Sequence, residues 1–233
     1  DFGPLALQAL LPALRETVTD AKERALLDRL AAWKGDYTLD KTEPTVFFQL
    51  LYDVARAAMA DEMGPAQFRN LLGTRVLDMA VVRLAGDAAS PWWDDRSTPA
   101  VETRAQTLQK AWRATLDHLR STFGEDTTQW TWGRAHTLTH NHPLGQQKPL
   151  DQVFNVGPFA APGGREIPNA MGHPIGPAPW GVTYGPSTRR IVDLADPTQA
   201  LGGNPVGQSG VLFDRHYQDQ AAGYVQGEYR RQW

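Results

Sequence analysis

Hydrophobic and polar positions in the first half of the chain recur with the 3.6-residue period of α-helices. A helix is predicted near the N-terminus, and a second begins after Asp20, which caps it, with Glu23 three positions later. Pro44 and Pro65 stand where two further helices would open, since proline is tolerated in a first turn. A last helix is predicted from Ser97-Thr98-Pro99 toward Phe123-Gly124.

The apolar stripes of these helices predict which residues face a core. The first three stripes comprise Leu5, Leu7, Leu10, Leu11 and Leu14, then Ala25, Leu26, Leu27, Leu30 and Trp33, then Val46, Phe47, Leu50, Leu51, Val54 and Ala58. The fourth comprises Phe68, Leu71, Leu72, Val76, Met79 and Val82, and the last comprises Leu108, Ala111, Trp112, Thr115, Leu116 and Leu119. Each predicted helix keeps a polar face for solvent.

The second half of the chain carries short β-prone runs separated by glycine and proline. Five strands are predicted, at residues 129–132, 153–156, 181–184, 190–194 and 210–212, and a short amphipathic helix after His216 closes the chain. The first 125 residues hold 6 Gly and 6 Pro, whereas the last 108 hold 15 Gly and 11 Pro. We therefore predict an α+β protein with a mainly helical region over residues 1–125 and a strand-rich region over residues 126–233.

Composition excludes several classes of function. The formal charge is 23 basic minus 26 acidic residues, or −3, so the chain has no basic surface for nucleic acid or an anionic membrane. Its apolar runs are shorter than the roughly 20 residues that a spanning helix needs. There is no cysteine, which excludes disulfides, thiolate nucleophiles and cysteine zinc sites.

Three histidines form a candidate metal cluster. His136, His140 and His142 have even spacings, so a strand would place all three on one face, and a helix would place His136 and His140 together. The glutamate of a His-Glu-x-x-His motif is absent. Packing or hydrogen bonding at a sheet edge is the simpler interpretation, and we assign no metal here.

Ser209 lies in Gly207-Gln208-Ser209-Gly210, which is similar to the nucleophile turn of serine hydrolases. That motif has the pattern Gly-x-Ser-x-Gly, and a helix follows its serine at once. Here the spacing differs and the helical run begins only near His216. A turn between two strands is the better interpretation.

Nine short motifs occur in a fixed order through the second half. They are Trp132-Gly133 with His136, His142-Pro143-Leu144, Phe154-Asn155-Val156-Gly157, Gly163-Gly164 with Asn169, Gly185-Pro186-Ser187, Arg189, Asp193-Leu194, Gly207-Gln208-Ser209-Gly210 and His216-Tyr217-x-Asp219-Gln220. Together they resemble the C-terminal part of the large chain of the penicillin acylase family. The helical half, including residues 30–35, is similar in kind but less specific.

The resemblance implies the C-terminal part of an αββα-sandwich hydrolase of the N-terminal nucleophile type. Such enzymes cut their own precursor into a small and a large chain, and the N-terminal serine of the large chain attacks the substrate amide, with its own α-amino group as the base. The expected partners are the small (alpha) chain, the remaining N-terminal part of the large (beta) chain and a small-molecule N-acyl amide. The nucleophile and the oxyanion asparagine are expected outside this sequence.

The resemblance also implies substrates, a site residue and a location. N-acyl-homoserine lactones and β-lactam antibiotics such as penicillin G are the leading substrates. Glu166 lies where some cephalosporin-type members use a glutamate to orient a histidine near the nucleophile. That histidine would belong to the missing part of the enzyme. The alternative is that Glu166 is an exposed turn residue paired with Arg165 or another surface cation. Calcium is expected only in the missing part, and the location is expected to be periplasmic.

Two other classes of function stay open. The chain could be a self-contained, non-enzymatic binding module, with the helical half as a scaffold and the Pro/Gly-rich loops as a recognition surface. A zinc hydrolase built on the three histidines is the second alternative. The two make different predictions, because a binding module would be a stable monomer without activity and a zinc enzyme would hold stoichiometric metal.

Overall fold

The computed structural model describes residues 2–232, so Asp1 and Trp233 lie outside the described residues. Helices come first and small sheets follow, which confirms the predicted α+β class. The chain divides into two compact units. The helical unit runs up to Ala135 and also includes Pro174–Trp180. The strand unit comprises His136–His173 and the rest of the chain from Gly181.

Five long helices form the helical unit. They are α1 (Phe2–Thr17), α2 (Ala21–Ala32), α3 (Glu43–Leu72), α4 (Val76–Gly86) and α5 (Arg104–Phe123), with a short α6 (Trp132–Ala135) after them. Asp20 accepts hydrogen bonds from the backbone N–H groups of Lys22 and Glu23, as its capping role predicts. No helix within residues 2–232 is long and apolar enough to cross a membrane.

The core of the helical unit is aromatic. Phe48 lies at its centre, with ring centroids 5.1 Å from Phe47, 5.6 Å from Trp132 and 6.1 Å from Trp180. The last long helix of this unit is α5, which begins at Arg104 after the capping box of Thr103 and Gln106, later than predicted. All six of its predicted inward residues are buried.

The predicted stripe of the fourth helix is wrong beyond Leu72. A break in helical geometry at Gly64 precedes Pro65, as predicted, but α3 then ends at Leu72 and a separate α4 starts at Val76. Val76 and Met79 are therefore 64% and 56% exposed, because the intervening turn changes the phase of the helix. The buried positions of α4 are instead Leu77, Asp78, Val81, Leu84 and Ala85.

The strand unit contains small antiparallel sheets. Strand β1 (His136–His140) pairs with β2 (Val156–Ala160), and the sheet order is β2-β1-β3 with β3 at Trp180–Gly181. A second sheet has the order β4-β5-β6, from Arg189–Ile191, Leu201–Gly203 and Arg230–Arg231. Between β5 and β6 lies α8 (Ala221–Gln226), whose Tyr224 and Val225 are buried.

Three of the predicted strands are replaced wholly or partly by turns and helices. Gln129 ends a 3-10 turn (Thr127–Gln129) that the Asp126 side chain opens by accepting the N–H of Thr128. Trp132 begins α6, and residues 130 and 131 between them form neither helix nor strand. Residues 153 and 154 belong to a short α7 (Asp151–Phe154) before β2. Residues 210–212 form a bend after Ser209.

The segment Pro174–Trp180 belongs to the helical unit, and the backbone of Ala178 is hydrogen-bonded to it on both sides. The N–H of Ala178 donates to Gln49 Oε1 at 2.8 Å, and His118 Nε2 donates to the Ala178 carbonyl at 2.7 Å. Ile175, Ala178 and Trp180 are buried. The helical unit is therefore completed by residues that come late in the sequence.

Candidate functional site

The candidate site lies in the strand unit, around a buried pair of histidines. His136, the first residue of β1, is fully buried, and its Nδ1 donates to the Ala161 carbonyl at 2.8 Å. The His173 ring meets it edge-on, with centroids 5.2 Å apart. Burial lowers the pKa of His136 to about 4, although backbone hydrogen bonds with Ala161 and Met171 oppose the shift. The imidazole is therefore neutral at pH 7 and holds the loop after β2 against β1.

Glu166 lies in a tight turn that follows this loop. Gly163 has a φ of +85°, and a Cβ there would stand 2.3 Å from the Asn169 carbonyl, so only glycine fits. Arg165 is buried and donates to the His173 carbonyl at 3.2 Å. Glu166 is exposed with a φ of +58°, a conformation that residues other than glycine adopt rarely. The turn thus keeps the guanidinium inside and presents the carboxylate outward.

Asn169 links this turn to α8 through Arg189. Its side-chain oxygen accepts from Arg189 Nη2 at 2.8 Å, and its Nδ2 donates to the Pro162 carbonyl at 3.2 Å. The Arg189 guanidinium lies 4.1 Å from the centroid of the Tyr224 ring, a cation–π contact. Burial raises the pKa of Tyr224, and the charge of Arg189 opposes the shift. Two matched motifs are therefore joined in space by one half-buried arginine.

The three histidines of the candidate metal cluster have different neighbours. His136 contacts His173, whereas the ring of His140 lies 6.1 Å from that of Tyr224 and its pKa is lowered by burial. His142 stacks on Phe154 at 5.0 Å. Within residues 2–232 no group of three or more His, Cys, Asp or Glu side chains is arranged to hold a metal ion. The structure thus does not bring these three imidazoles together as ligands.

The Gly207–Gly210 motif packs directly against the His216 motif. A Cβ on Gly207 would lie 1.7 Å from the His216 carbonyl oxygen, and the Ser209 N–H donates to that same oxygen at 3.1 Å. The Ser209 hydroxyl accepts from the Val211 N–H at 3.1 Å, as in a turn. His216 Nδ1 donates to Asp219 Oδ2 at 3.1 Å, and Arg230 donates to the same carboxylate oxygen at 2.9 Å. The arrangement is a backbone clasp, and among the described residues Ser209 makes no hydrogen bond to the His216 ring.

A sequence model of the family described as penicillin amidase matches residues 4–233. The chain belongs to the penicillin amidase family. This confirms the resemblance drawn from the motifs.

Relatives with curated names point the same way. The acyl-homoserine lactone acylase QuiP of Pseudomonas aeruginosa is 25% identical over 97% of this chain and 28% of its own length. The proteins of the same name from Pseudomonas fluorescens strain Pf0-1 and Pseudomonas putida are 27% and 28% identical, over 90% and 89% of this chain. The chain spans about a quarter of the length of the curated relatives it matches, 25% to 28%.

Sequence reasoning missed two residues of the buried site and one outside it. His173 and the interior position of Arg165 were not predicted, and in the helical unit Asp53 is buried although it is charged. Asp53 had a detectable signal, because Gln49 and Asp53 stand four residues apart within the otherwise apolar run of α3. His173 had none, since it lies in a proline-rich loop without periodicity.

Proposed function

We propose that the chain is part of an N-acyl amide hydrolase that removes the acyl group from N-acyl-homoserine lactones or from β-lactam antibiotics such as penicillin G. The observation that carries this proposal is the family match, which extends from residue 4 to residue 233. Acyl-homoserine lactones come first of the two because the relatives named above are acyl-homoserine lactone acylases.

In the proposed reaction a serine outside this sequence attacks the amide carbonyl and forms an acyl-serine. Water then hydrolyses this ester, and the amine leaves in the first step. A small chain and the preceding part of the large chain, both cut from the same precursor, would supply the nucleophile and the oxyanion donors. The residues described here would supply strands and helices beside them. A periplasmic location is part of this proposal.

No calcium ligands are assigned within residues 2–232, because no suitable cluster of carboxylates occurs in that part of the chain. A calcium site would belong to the preceding part of the enzyme. None of the chemistry proposed for this chain depends on it.

The activity is tested with the full-length gene product and a panel of N-acyl-homoserine lactones and penicillin G. Release of the free primary amine is measured, because amide hydrolysis produces an amine, whereas opening of the lactone or β-lactam ring does not. Amine release from at least one substrate class is expected, with the free carboxylic acid in equal amount. If the processed protein releases no amine from any member of the panel, the proposal is wrong.

Glu166 is proposed to orient a histidine of the missing part toward the nucleophile. Two observations support this role: the carboxylate is exposed, and the residue has left-handed backbone geometry, which proteins retain most often at functional positions. Glu166→Gln should lower kcat by about a hundredfold with little change in KM, since a correctly positioned acid or base contributes about 10²- to 10⁴-fold. The unfolding midpoint should not change.

The matched control is Glu228→Gln, an exposed glutamate of the same unit. It should leave kcat unaltered. A second variant, Glu166→Gly, relieves the left-handed strain and should raise stability slightly while it lowers kcat. Unchanged kcat in both Glu166 variants would leave this residue as an exposed turn position.

A further inference from the structure

A cavity of about 220 Å³ in the helical unit has no part in the proposed acylase reaction. It lies between α3 and α5, and small side chains on both helices leave the space open: Ala57, Ala60, Ala111 and Ala114. Charged side chains complete the lining: Asp53, Arg56, Asp61, Asp95 and Lys110. Its size suits a small polar molecule.

Asp53 is the most deeply placed of these charges, with 4% of its surface exposed. Its Oδ2 accepts two hydrogen bonds, from Gln49 Nε2 at 2.8 Å and from Thr115 Oγ1 at 3.0 Å. Its Oδ1 has no hydrogen-bond partner among residues 2–232. A buried carboxylate oxygen that lacks a hydrogen bond is costly, so this oxygen favours a ligand that donates a hydrogen bond to it, such as an ammonium group.

Most of the other charges at this cavity are already engaged. Lys110 Nζ lies 2.6 Å from Asp95 Oδ2. Asp61 Oδ2 accepts the Arg96 N–H at 2.8 Å, and the neighbouring Glu62 carboxyl has its pKa raised to about 7 by burial and by Asp61. These groups therefore add little free charge toward a ligand.

Arg56 is the exception. It lines the same cavity three residues after Asp53 on α3, is exposed, and makes no ion pair within 4.0 Å among the described residues. His118, which bonds the Ala178 carbonyl, is the other basic group near Asp53. The cavity lining thus includes a carboxylate oxygen without a hydrogen bond and, within residues 2–232, a guanidinium without an ion pair, although the two charges already attract one another.

We propose that this cavity binds a small zwitterion, an α-amino acid with a short side chain, with its ammonium group on Asp53 Oδ1 and its carboxylate on the Arg56 guanidinium. A simple anion would meet the Asp53 charge, and a simple cation would leave Arg56 unpaired, so a molecule with both charges fits best. The alanine walls leave room for a methyl-sized side chain. Burial also raises the pKa of Asp53, opposed in order by the hydrogen bonds of Gln49 and Thr115 and by the charges of Arg56 and His118, which is typical of a carboxyl group at a binding site.

The test is titration of the full protein with L-alanine at pH 7, followed by calorimetry and by ligand-observed NMR. Ethylammonium and propionate serve as probes that each lack one of the two charges. Saturable binding of L-alanine is expected, with each single-charge probe at least tenfold weaker. No saturable binding of L-alanine, or ethylammonium binding as tightly as L-alanine, would overturn the proposal.

Two variants locate the site. Asp53→Asn retains an oxygen that can accept from Gln49 and Thr115, and Arg56→Gln changes an exposed side chain, so both should fold. Each should weaken L-alanine binding at least tenfold, whereas Arg113→Gln, an exposed arginine of α5 that does not line the cavity, should not change it. Equal binding in all three variants would refute the assignment. The readout is independent of amide hydrolysis, so failure of the acylase proposal would leave this one intact.

Discussion

The helical unit and the strand unit are stabilised by different kinds of contact. The helical unit buries large aromatic rings against one another, among them Phe47, Phe48 and Trp132. The strand unit has a small apolar cluster, in Leu138, Ala161, Met171, Tyr224 and Val225, beside buried polar groups and glycines that touch backbone. Apolar packing adds stability roughly in proportion to area, whereas polar and backbone contacts act only at one geometry. The first unit should therefore respond to lost volume, and the second to small displacements.

The largest expected effect is a cavity at the centre of the helical unit. Phe48→Ala removes a ring that contacts Phe47, Trp132 and Trp180, and it should lower the free energy of unfolding by about 3–5 kcal/mol. Urea unfolding monitored by tryptophan fluorescence reports it, because seven of the eight tryptophans lie in the helical unit.

Phe213→Ala provides the control from the strand unit. That ring is 88% exposed, so its loss should change the free energy of unfolding by no more than about 0.5 kcal/mol. A cost at Phe48 as small as the cost at Phe213 would show that ring packing does not stabilise the helical unit.

The second prediction concerns backbone contact in the strand unit. Gly207→Ala forces a methyl group to 1.7 Å from the His216 carbonyl, so the clasp must open at a cost of about 3 kcal/mol. Hydrogen exchange at the Gly207 and Ser209 amides should become about a hundredfold faster. Gly210→Ala in the same motif, where no atom lies within 4 Å of the added methyl, should leave both rates unchanged. Equal effects of the two substitutions would contradict the close approach.

The third prediction is that acid destabilises the strand unit through its buried histidines. His136 has a folded pKa of about 4, below its ordinary value of 6.5, so stability that is complete above pH 6.5 falls as the pH drops toward 4, by at most about 3 kcal/mol. Burial of His140 acts in the same direction. In the helical unit the carboxyl groups act in both directions. Asp53 and Glu62 have raised pKa values and favour the folded state as the pH falls. The pKa of Asp95 is lowered to about 2 and those of Asp40, Glu102 and Asp126 are also lowered, so these four groups stabilise the fold less as the pH falls.

Hydrogen exchange of the β1 amides, compared at pH 7 and pH 4.5, measures how the stability of the strand unit depends on pH. Protection of β1 should fall with pH, and His136→Gln should be less stable at pH 7 but should lose most of the pH dependence. A wild-type β1 whose stability does not change over this range would contradict the buried neutral imidazole.

The smallest expected effect is at a helix cap. Thr103 and Gln106 form a reciprocal capping box at the start of α5, and Thr103→Ala should lower stability by about 1 kcal/mol. The change is measured as a shift of the urea midpoint, with Thr122→Ala, an exposed position near the end of the same helix, as the control. A larger loss of stability in Thr122→Ala than in Thr103→Ala would mean that the cap contributes little.

Helices were predictable where one uninterrupted period sets the buried face, as in α5 from Leu108 to Leu119. The period failed at α4, because the break after Leu72 resets the phase and sequence alone does not give the length of the turn. Strands were harder to predict than helices. Leu201-Gly202-Gly203 forms the central strand β5 although glycine has low β-propensity, since its pairing with β4 and β6 is decided by distant residues.

The candidate site was likewise predictable in its local motifs but not in its long-range contacts. Short motifs such as Gly163-Gly164, Asn169 and Arg189 could be named in order from the sequence. The contacts that join them, such as Arg189 to Asn169, connect residues far apart in the chain and carry no periodic signal. Sequence also failed to identify the Asp53 cavity, because a carboxylate on a helix is ordinarily part of its solvated face.

The late segment that completes the helical unit has a practical consequence. A gene cut after codon 135 would encode a bundle without the buried side chains of Ile175, Ala178 and Trp180. The side chains of Gln49 and His118 would also lose their hydrogen bonds to the Ala178 backbone. Anyone wishing to study this bundle in isolation should therefore splice residues 174–180 back onto it, for example through a short glycine-rich tether.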